Sequence, residues 1–392
     1  MVIISNRFSK ILEQINLLSD NRERQNLIDI FLKEVKDNYP IYESDTNVVL
    51  LYKSDADKVK IIGDMTEWAR TAQFKKIHGT DLHYINFNLE PDACLEYWFM
   101  IDDNENPLVD PLNPYIIYNG LGDISELAMP GYLRHPYFNK FIGGEKGGYD
   151  NLLESEIPSC KLPYPHQVHI YLPPGYDKTA DHYPTIYFQD GRDYIEFAVV
   201  PHILDELINE GKISPAIAVF VTPPNLHQPK LPNRMTEYGL NDDYVYFFIN
   251  ELVDFVDEKF RTKKEPNSRL VIGDSYGGLI STYISFKHPK IFGMAYSQSG
   301  YHCFQKDKMI KLIMENRKKL IHLFLDSGTY EHEVGSTFLP EDERDFISAN
   351  RRLRIALMEK GYNFEYREYN EGHTWGNWRR HLIDALIYFL GK

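Results

Sequence analysis

The sequence is poor in cysteine, in positive charge and in long apolar runs, and each shortage closes off a class of explanation. Only three cysteines occur among 392 residues, Cys94, Cys160 and Cys303. They are far apart, match no metal-ligand spacing and cannot all pair, so free thiols in a reducing cytoplasm are expected rather than a disulfide framework or a metal site. Lysine and arginine number 43 against 57 acidic residues, for a formal net charge of -14. A field of that sign repels nucleic acid and anionic membrane surfaces. The basic run Arg261-Thr262-Lys263-Lys264 precedes a strand and is accounted for as a solvated face. No stretch has the length and apolarity of a membrane span. Residues Met1 to Phe8 lack the basic region, apolar run and small cleavage residues of a secretory signal, which again points to the cytoplasm.

What is present is globular material in more than one piece. A hydrophobic fraction of 43% and an aromatic fraction of 14% supply cores, and a chain of this length exceeds what one core normally supports. Residues 1–40 place Ile11, Leu12, Ile15, Leu17 and Leu18, then Leu27, Ile28, Ile30, Phe31 and Leu32, on either side of Asp20-Asn21. That pattern predicts two amphipathic helices joined by a turn. Residues 41–130 change to short strand-like runs, among them Val48 to Tyr52, Val59 to Ile62, Leu82 to Phe87 and Leu95 to Ile101. Turn residues separate them at the intervals of a β-sandwich. Residues 131–165 are rich in glycine, proline and aromatics, including Gly143 to Gly148 and Pro163-Tyr164-Pro165, and read as a linker. From residue 166 onward strands and helices alternate. The fully apolar run Ala216 to Val221 suits the middle of a mainly parallel sheet in an α/β domain.

One motif in this last region carries chemistry. In Val271-Ile272-Gly273-Asp274-Ser275-Tyr276-Gly277-Gly278 a β-branched run leads to a serine between glycines, and Leu279, Ile280, Tyr283, Ile284 and Phe286 then recur at helical spacing until His288-Pro289. Strand, tight turn and helix in that order form a nucleophile elbow, in which a Cβ at Gly273 or Gly277 would collide with its surroundings.

A serine nucleophile needs an imidazole to take its proton and a carboxylate to orient the imidazole, in the chain order serine, acid, histidine. His373 lies in a loop after the last strand, in Glu371-Gly372-His373-Thr374-Trp375, whereas His381 falls in the closing helical run. Leu325-Asp326-Ser327-Gly328-Thr329-Tyr330-Glu331-His332-Glu333 offers the acid, with Glu331 as first choice, Asp326 second and Glu333 third. The oxyanion donors are expected to be the amide of Tyr276 and an amide of Phe188-Gln189-Asp190-Gly191-Arg192-Asp193-Tyr194, where Gly191 permits close approach and leaves Arg192 or its neighbour as the donor.

These motifs together resemble the esterase D superfamily, which includes enterochelin esterases and feruloyl esterases. The carriers are Phe188-Gln189-Asp190-Gly191, the segment around Ser275, Leu325 to Glu331, and Gly372-His373-Thr374-Trp375 with Trp378-Arg379. Gly63-Asp64-Met65-Thr66-Glu67-Trp68, Tyr97-Trp98-Phe99 and Asp110-Pro111-Leu112-Asn113-Pro114 are similar to the immunoglobulin-like early-set module that precedes the hydrolase domain in enterochelin esterases. The resemblance implies an α/β-hydrolase domain and ester hydrolysis of a small molecule, a siderophore trilactone first and a feruloyl or acetyl ester of a carbohydrate second, through Ser275 and His373 without metal or cofactor. The alternative class is a carbohydrate-binding protein with a degenerate hydrolase domain. The oligomeric state is left open, with a homodimer possible. The resemblance also marks Trp375 and Trp378 as substrate contacts. Asn233-Arg234-Met235-Thr236-Glu237-Tyr238 is similar to an arginine-bearing segment of enterochelin esterases, so Arg234 is expected either to bind an anionic group or to pair with Glu237. Trp68 could stack on a sugar or belong to a core. Tyr115, Tyr118 and the Met129-Pro130-Gly131 loop could shape a cleft. An acidic chain has no obvious basin for an anionic ferric tris-catecholate.

Overall fold

The computed structural model describes residues 4–134 apart from 103, 105, 119 and 121, together with residues 151–224 and 233–392. The glycine run Gly143 to Gly148 lies outside the described residues. Two compact units are present. One consists of Met1–His135, Gly328–Leu339 and Tyr369–Gly376, the other of Pro136–Ser327, Pro340–Glu368 and Asn377–Lys392.

The first unit begins with helices α1 (Arg7–Leu17) and α2 (Asn21–Val35). The break between them is set by Asp20, whose carboxylate accepts the backbone N–H groups of Arg22 and Glu23 at 2.8 and 3.0 Å and so caps α2. Phe8, Ile15, Ile28, Phe31 and Val35 enter the core of the unit, while Leu17, the last residue of α1, and Ile30 stay exposed.

Its strands are β1 (Ile41–Tyr42), β2 (Asn47–Lys53), β3 (Val59–Gly63), β4 (Ala72–Gln73), β5 (Lys75–Lys76), β6 (Leu82–Asn88), β7 (Cys94–Ile101), β8 (Ile116–Tyr118) and β9 (Asp123–Ala128). They form a four-stranded sheet, β1-β2-β6-β5, and a five-stranded sheet, β4-β3-β7-β9-β8. Val48 to Leu51 are buried in succession because both faces of β2 are covered. Phe8 supplies part of that cover, packing 4.9 Å from Tyr84 of the neighbouring β6.

Asp110-Pro111-Leu112-Asn113-Pro114 forms a buried polar knot. Asp110 accepts the hydroxyls of Tyr39 and Tyr97, each at 2.8 Å, and Asn113 donates to the carbonyl of Glu126. Burial raises the Asp110 carboxyl to about 6.

The second unit is built on an eight-stranded sheet: β10 (Leu152–Ile157), β11 (His166–Tyr171), β12 (Thr185–Phe188), β13 (Ile217–Thr222), β14 (Arg269–Asp274), β15 (Met294–Gln298), β16 (His322–Gly328) and β17 (Asn363–Tyr369), in the order β10-β11-β13-β12-β14-β15-β16-β17. The β10, β11 and β13 strands pair antiparallel, and β13 through β16 pair parallel by way of β12, β14 and β15. Strands β12 to β15 are buried at every position, as the unbroken apolar run of β13 required. Strand β10 forms inside the segment read as linker, and β15 carries no strong sequence signal because Ser297 and Gln298 interrupt its apolar residues.

Helices α3 (Gly191–Glu196), α4 (Val200–Asn209), α5 (Arg234–Tyr238), α6 (Asp242–Tyr246), α7 (Val253–Lys259), α8 (Tyr276–Lys287), α9 (Phe304–Glu315), α10 (Phe346–Glu359) and α11 (Trp375–Leu390) complete the chain. Helices α6 and α7 are joined by a π-helical turn, Phe247–Leu252. Because β12, β14, β15 and β16 run parallel, the loops leaving them gather at one edge of the sheet, the edge where α/β folds place ligands. Among the described residues no helix is long and apolar enough to cross a membrane.

Candidate active site

Ser275 occupies the link between β14 and α8 with φ 53° and ψ -117°, a conformation that costs a non-glycine residue strain energy and is held only when its surroundings dictate it. Those surroundings are hydrogen bonds. The amide of Ser275 donates to the carbonyl of Gln298 at 2.8 Å, and its carbonyl accepts from the amides of Leu279 and Tyr301 at 3.1 and 2.9 Å. A Cβ on Gly273 would stand 2.3 Å from the carbonyl carbon of Gly277, so the turn closes only with glycine there. On Gly277 it would meet Oδ2 of Asp190 at 3.0 Å, which puts the end of β12 against the elbow.

The β12 end supplies backbone donors. Phe188 is in register with Ile272, and the amide of Gln189 donates to the carbonyl of Ile272 at 2.8 Å. Asp190 then turns the chain with φ 53°, and α3 begins at Gly191. A Cβ on Gly191 would lie 2.3 Å from the carbonyl carbon of Phe220, so glycine is required for α3 to start this close to β13. The amides of Arg192 and Tyr276 lie in the first turns of α3 and α8, where no helical carbonyl is available to accept from them. The Arg192 side chain points away and pairs with Glu196 at 2.8 Å, leaving only its backbone to contribute.

Arg234 ties these two turns together. Its guanidinium grips Asp190 with two bonds of 2.6 and 2.7 Å, and reaches the carbonyl and Oδ2 of Asp274 at 3.1 and 3.3 Å. The pairing with Glu237 expected from proximity in the chain does not form: Glu237 is fully buried and bonds the ring of His166 at 2.8 Å. Burial and the neighbouring Asp190 push the Asp274 carboxyl well above the usual range. They raise Asp193 to about 7. Arg234→Met is expected to lower kcat by roughly 10- to 100-fold with little change in KM, because the misplacement falls on the reacting groups. Steady-state kinetics on a chromogenic ester, beside a melting curve, measures this.

The histidine and the acid loops are zipped to each other. Thr329 and Tyr330 donate their amides to the carbonyls of Tyr369 and Glu371 at 2.8 and 3.1 Å. A Cβ on Gly328 would lie 2.3 Å from the Glu371 carbonyl oxygen. Within this arrangement Nδ1 of His373 stands 3.4 Å from Oε2 of Glu331, whose other oxygen accepts the Gly328 amide at 2.9 Å. Asp326, the second choice, sits inside β16, where it accepts the hydroxyl of Tyr296 and the amide of Ser299. Glu333 is partly exposed further along the loop, and His381 lies within α11.

The two tryptophans expected to contact substrate are both buried, as Ser275 is. Trp378 is 7% exposed, its indole N–H donates to Oγ of Ser299 at 3.0 Å, and its carbonyl accepts from Gln298. It braces the turn after β15. Trp375, at the start of α11, is buried likewise. Trp68 is half-buried, donates its indole N–H to Asp64 at 2.7 Å and meets Trp98 edge-on at 5.4 Å. Tyr115 and Tyr118 are exposed and Met129 is buried. No group of three metal-capable side chains occurs among the described residues.

A strained serine between a buried parallel strand and a helix, with donors at the next strand end, defines an esterase-type α/β-hydrolase-like protein with a β-rich N-terminal unit. The chain belongs to the Esterase family, whose model matches residues 159–389. It is similar to the iron(III) enterobactin esterase of Escherichia coli O6:H1, 24% identical over 289 residues that span 71% of this chain and 66% of that one. It is also similar to an endo-1,4-beta-xylanase/feruloyl esterase of Xylanibacter ruminicola, 26% identical over 188 residues, or 42% of this chain and 23% of the other. The crystal structure of ferric enterobactin esterase from Salmonella typhimurium shares the fold, with a TM-score of 0.72 at 19% identity over 88% of this chain and 93% of that one.

The sequence reading missed the acidic partners of Arg234, Asp190 and Asp274. Asp190 and Arg234 are 44 positions apart, and nothing local connects them.

Proposed function

We propose that this chain is a serine carboxylic ester hydrolase of the enterochelin esterase type. The Oγ of Ser275 attacks the ester carbonyl while His373 takes its proton, held in orientation by Glu331. The tetrahedral oxyanion is received by the amides of Tyr276 and Arg192. His373 then returns the proton to the departing alkoxide, leaving an acyl group on Ser275. Water, activated by the same imidazole, releases the acid and restores the serine. The residues of this chain carry every step, in a cytoplasmic setting. The observation that bears most weight is the strained backbone of Ser275 at the elbow, because strain of that kind persists where function requires the side chain to project. In this reading the N-terminal unit is an immunoglobulin-like early-set sandwich with a helical extension.

The substrate favoured by the resemblance and by the sequence similarity to iron(III) enterobactin esterases is a siderophore trilactone. One observation supports a second reading, an aromatic or acetyl ester of a carbohydrate: the net charge of -14 disfavours an anionic ferric catecholate. Hydrolysis of ferric enterobactin, metal-free enterobactin and a feruloyl sugar ester, followed by chromatography of the products, separates them. The trilactones are expected to give the highest kcat/KM. A feruloyl ester turned over tenfold faster or more would favour the carbohydrate esterase instead.

A further inference from the structure

The His373 loop is seated on the β-rich part of its own unit by two carboxyl groups. Asp64, in the turn after β3, is 1% exposed, and its two oxygens accept the indole N–H of Trp68 and the backbone N–H of Glu96, each at 2.7 Å. A Cβ on Gly372, the residue before His373, would fall 1.8 Å from Oδ1 of Asp64, so the loop backbone rests directly on that carboxyl. Three residues beyond His373, a Cβ on Gly376 would fall 1.9 Å from Oε1 of Glu96 on β7. Between these contacts Cys94 donates its amide to the carbonyl of Asn370 at 3.0 Å, and Tyr330 reaches Glu90 through its hydroxyl at 2.5 Å.

We propose that Asp64 is a positioning residue for His373: its carboxyl sets the height of the Gly372-His373 backbone, and hence the pose of the imidazole against Glu331. This rests on the reading of His373 as the general base. It makes the β-rich unit a working part of the catalytic machinery.

The protonation of Asp64 follows from what faces it. Burial, then the carboxyls of Glu96 on β7 and Glu371 on the histidine loop, push it up to about 8, against the pull of the Trp68 and Glu96 N–H donors. Glu67, Arg70, Glu90, Tyr330 and His332 share with it the walls of a cavity of about 550 Å³. At neutral pH the loop therefore rests on an uncharged carboxyl. Above pH 8 ionisation adds negative charge beside Glu96 and Glu371, and the seat of the loop is disturbed.

The test compares Asp64→Ala, Gly372→Ala and the double variant with wild type, His373→Ala and Ser275→Ala. Kinetics on a p-nitrophenyl ester from about pH 6 to about pH 9.5 are read beside near-UV circular dichroism. Asp64→Ala is expected to lower kcat about 10- to 100-fold at neutral pH with KM within about twofold. It should also lack the alkaline loss of kcat, centred near pH 8, that is expected of the wild type. Gly372→Ala should be impaired alone, yet add nothing to Asp64→Ala, because its methyl group fills the vacated space. Should Asp64→Ala fail to fold, Asp64→Asn keeps the volume without ionising and should abolish the alkaline limb. Folded variants with wild-type kcat, or Asp64→Asn with the wild-type alkaline limb, would overturn the proposal. Undiminished turnover in His373→Ala or Ser275→Ala would instead overturn the triad beneath it.

Discussion

Ser275→Ala removes turnover while leaving the protein folded. The expected fall in kcat is roughly five orders of magnitude or more, as for serine nucleophiles that act in concert with an imidazole. That corresponds to about 7 kcal/mol of lost transition-state stabilisation. The bonds that hold the elbow involve the backbone amide and carbonyl of residue 275, with Gln298, Leu279 and Tyr301, so they survive the loss of the hydroxyl. KM should move little, and a residual rate above that in water should persist because the proposed oxyanion donors, the amides of Tyr276 and Arg192, are untouched by the substitution. Kinetics together with circular dichroism before and after substitution measure both halves of this expectation.

Glu331→Gln is expected to lower kcat by about four orders of magnitude, since an amide facing Nδ1 of His373 favours the wrong tautomer while preserving shape. Asp326→Asn should behave differently. Its carboxylate accepts the hydroxyl of Tyr296 and the amide of Ser299 inside the sheet, so the loss should appear as about 1–3 kcal/mol of stability, with kcat kept within about tenfold. The contrast is read by measuring kcat and a denaturation midpoint for both variants. Equal, mild effects on kcat would point to a serine-histidine dyad, and a larger loss for Asp326→Asn would exchange the two roles.

Much of the fold could be read from local pattern because local pattern decided it. The buried run of β13, the alternating burial of β3 and the Asp20 cap each express a periodicity or a side-chain chemistry written within a few residues. Strand β15 was hidden for the opposite reason: its polar Ser297 and Gln298 are satisfied inside the protein, by His302 and by the Trp378 carbonyl among others. The elbow was legible because Gly273 is dictated by a contact four residues on, with Gly277, although Gly277 itself is crowded by Asp190 and Gln189 from far away in the chain.

The supporting residues were not legible. Arg234 has an adjacent carboxylate at Glu237, and only the fold reveals that it bonds Asp190 and Asp274 instead. Asp64 lies more than 300 positions before the loop it touches at Gly372, a contact that no spacing in the sequence announces. The packing of the tryptophans near His373 was hidden for a related reason: the indole N–H of Trp378 bonds Ser299, 79 positions earlier in the chain.

The most direct measurement is covalent labelling with a fluorophosphonate, followed by proteolysis and tandem mass spectrometry of the adduct. A reagent of this kind reports the serine that is both activated and exposed to an electrophile. The predicted result is stoichiometric modification of Ser275 with parallel loss of esterase activity, absent in Ser275→Ala and strongly slowed in His373→Ala. An unmodified Ser275 in protein that still turns over esters, or an adduct on another residue that tracks the loss of activity, would contradict the assignment of the elbow as the catalytic centre.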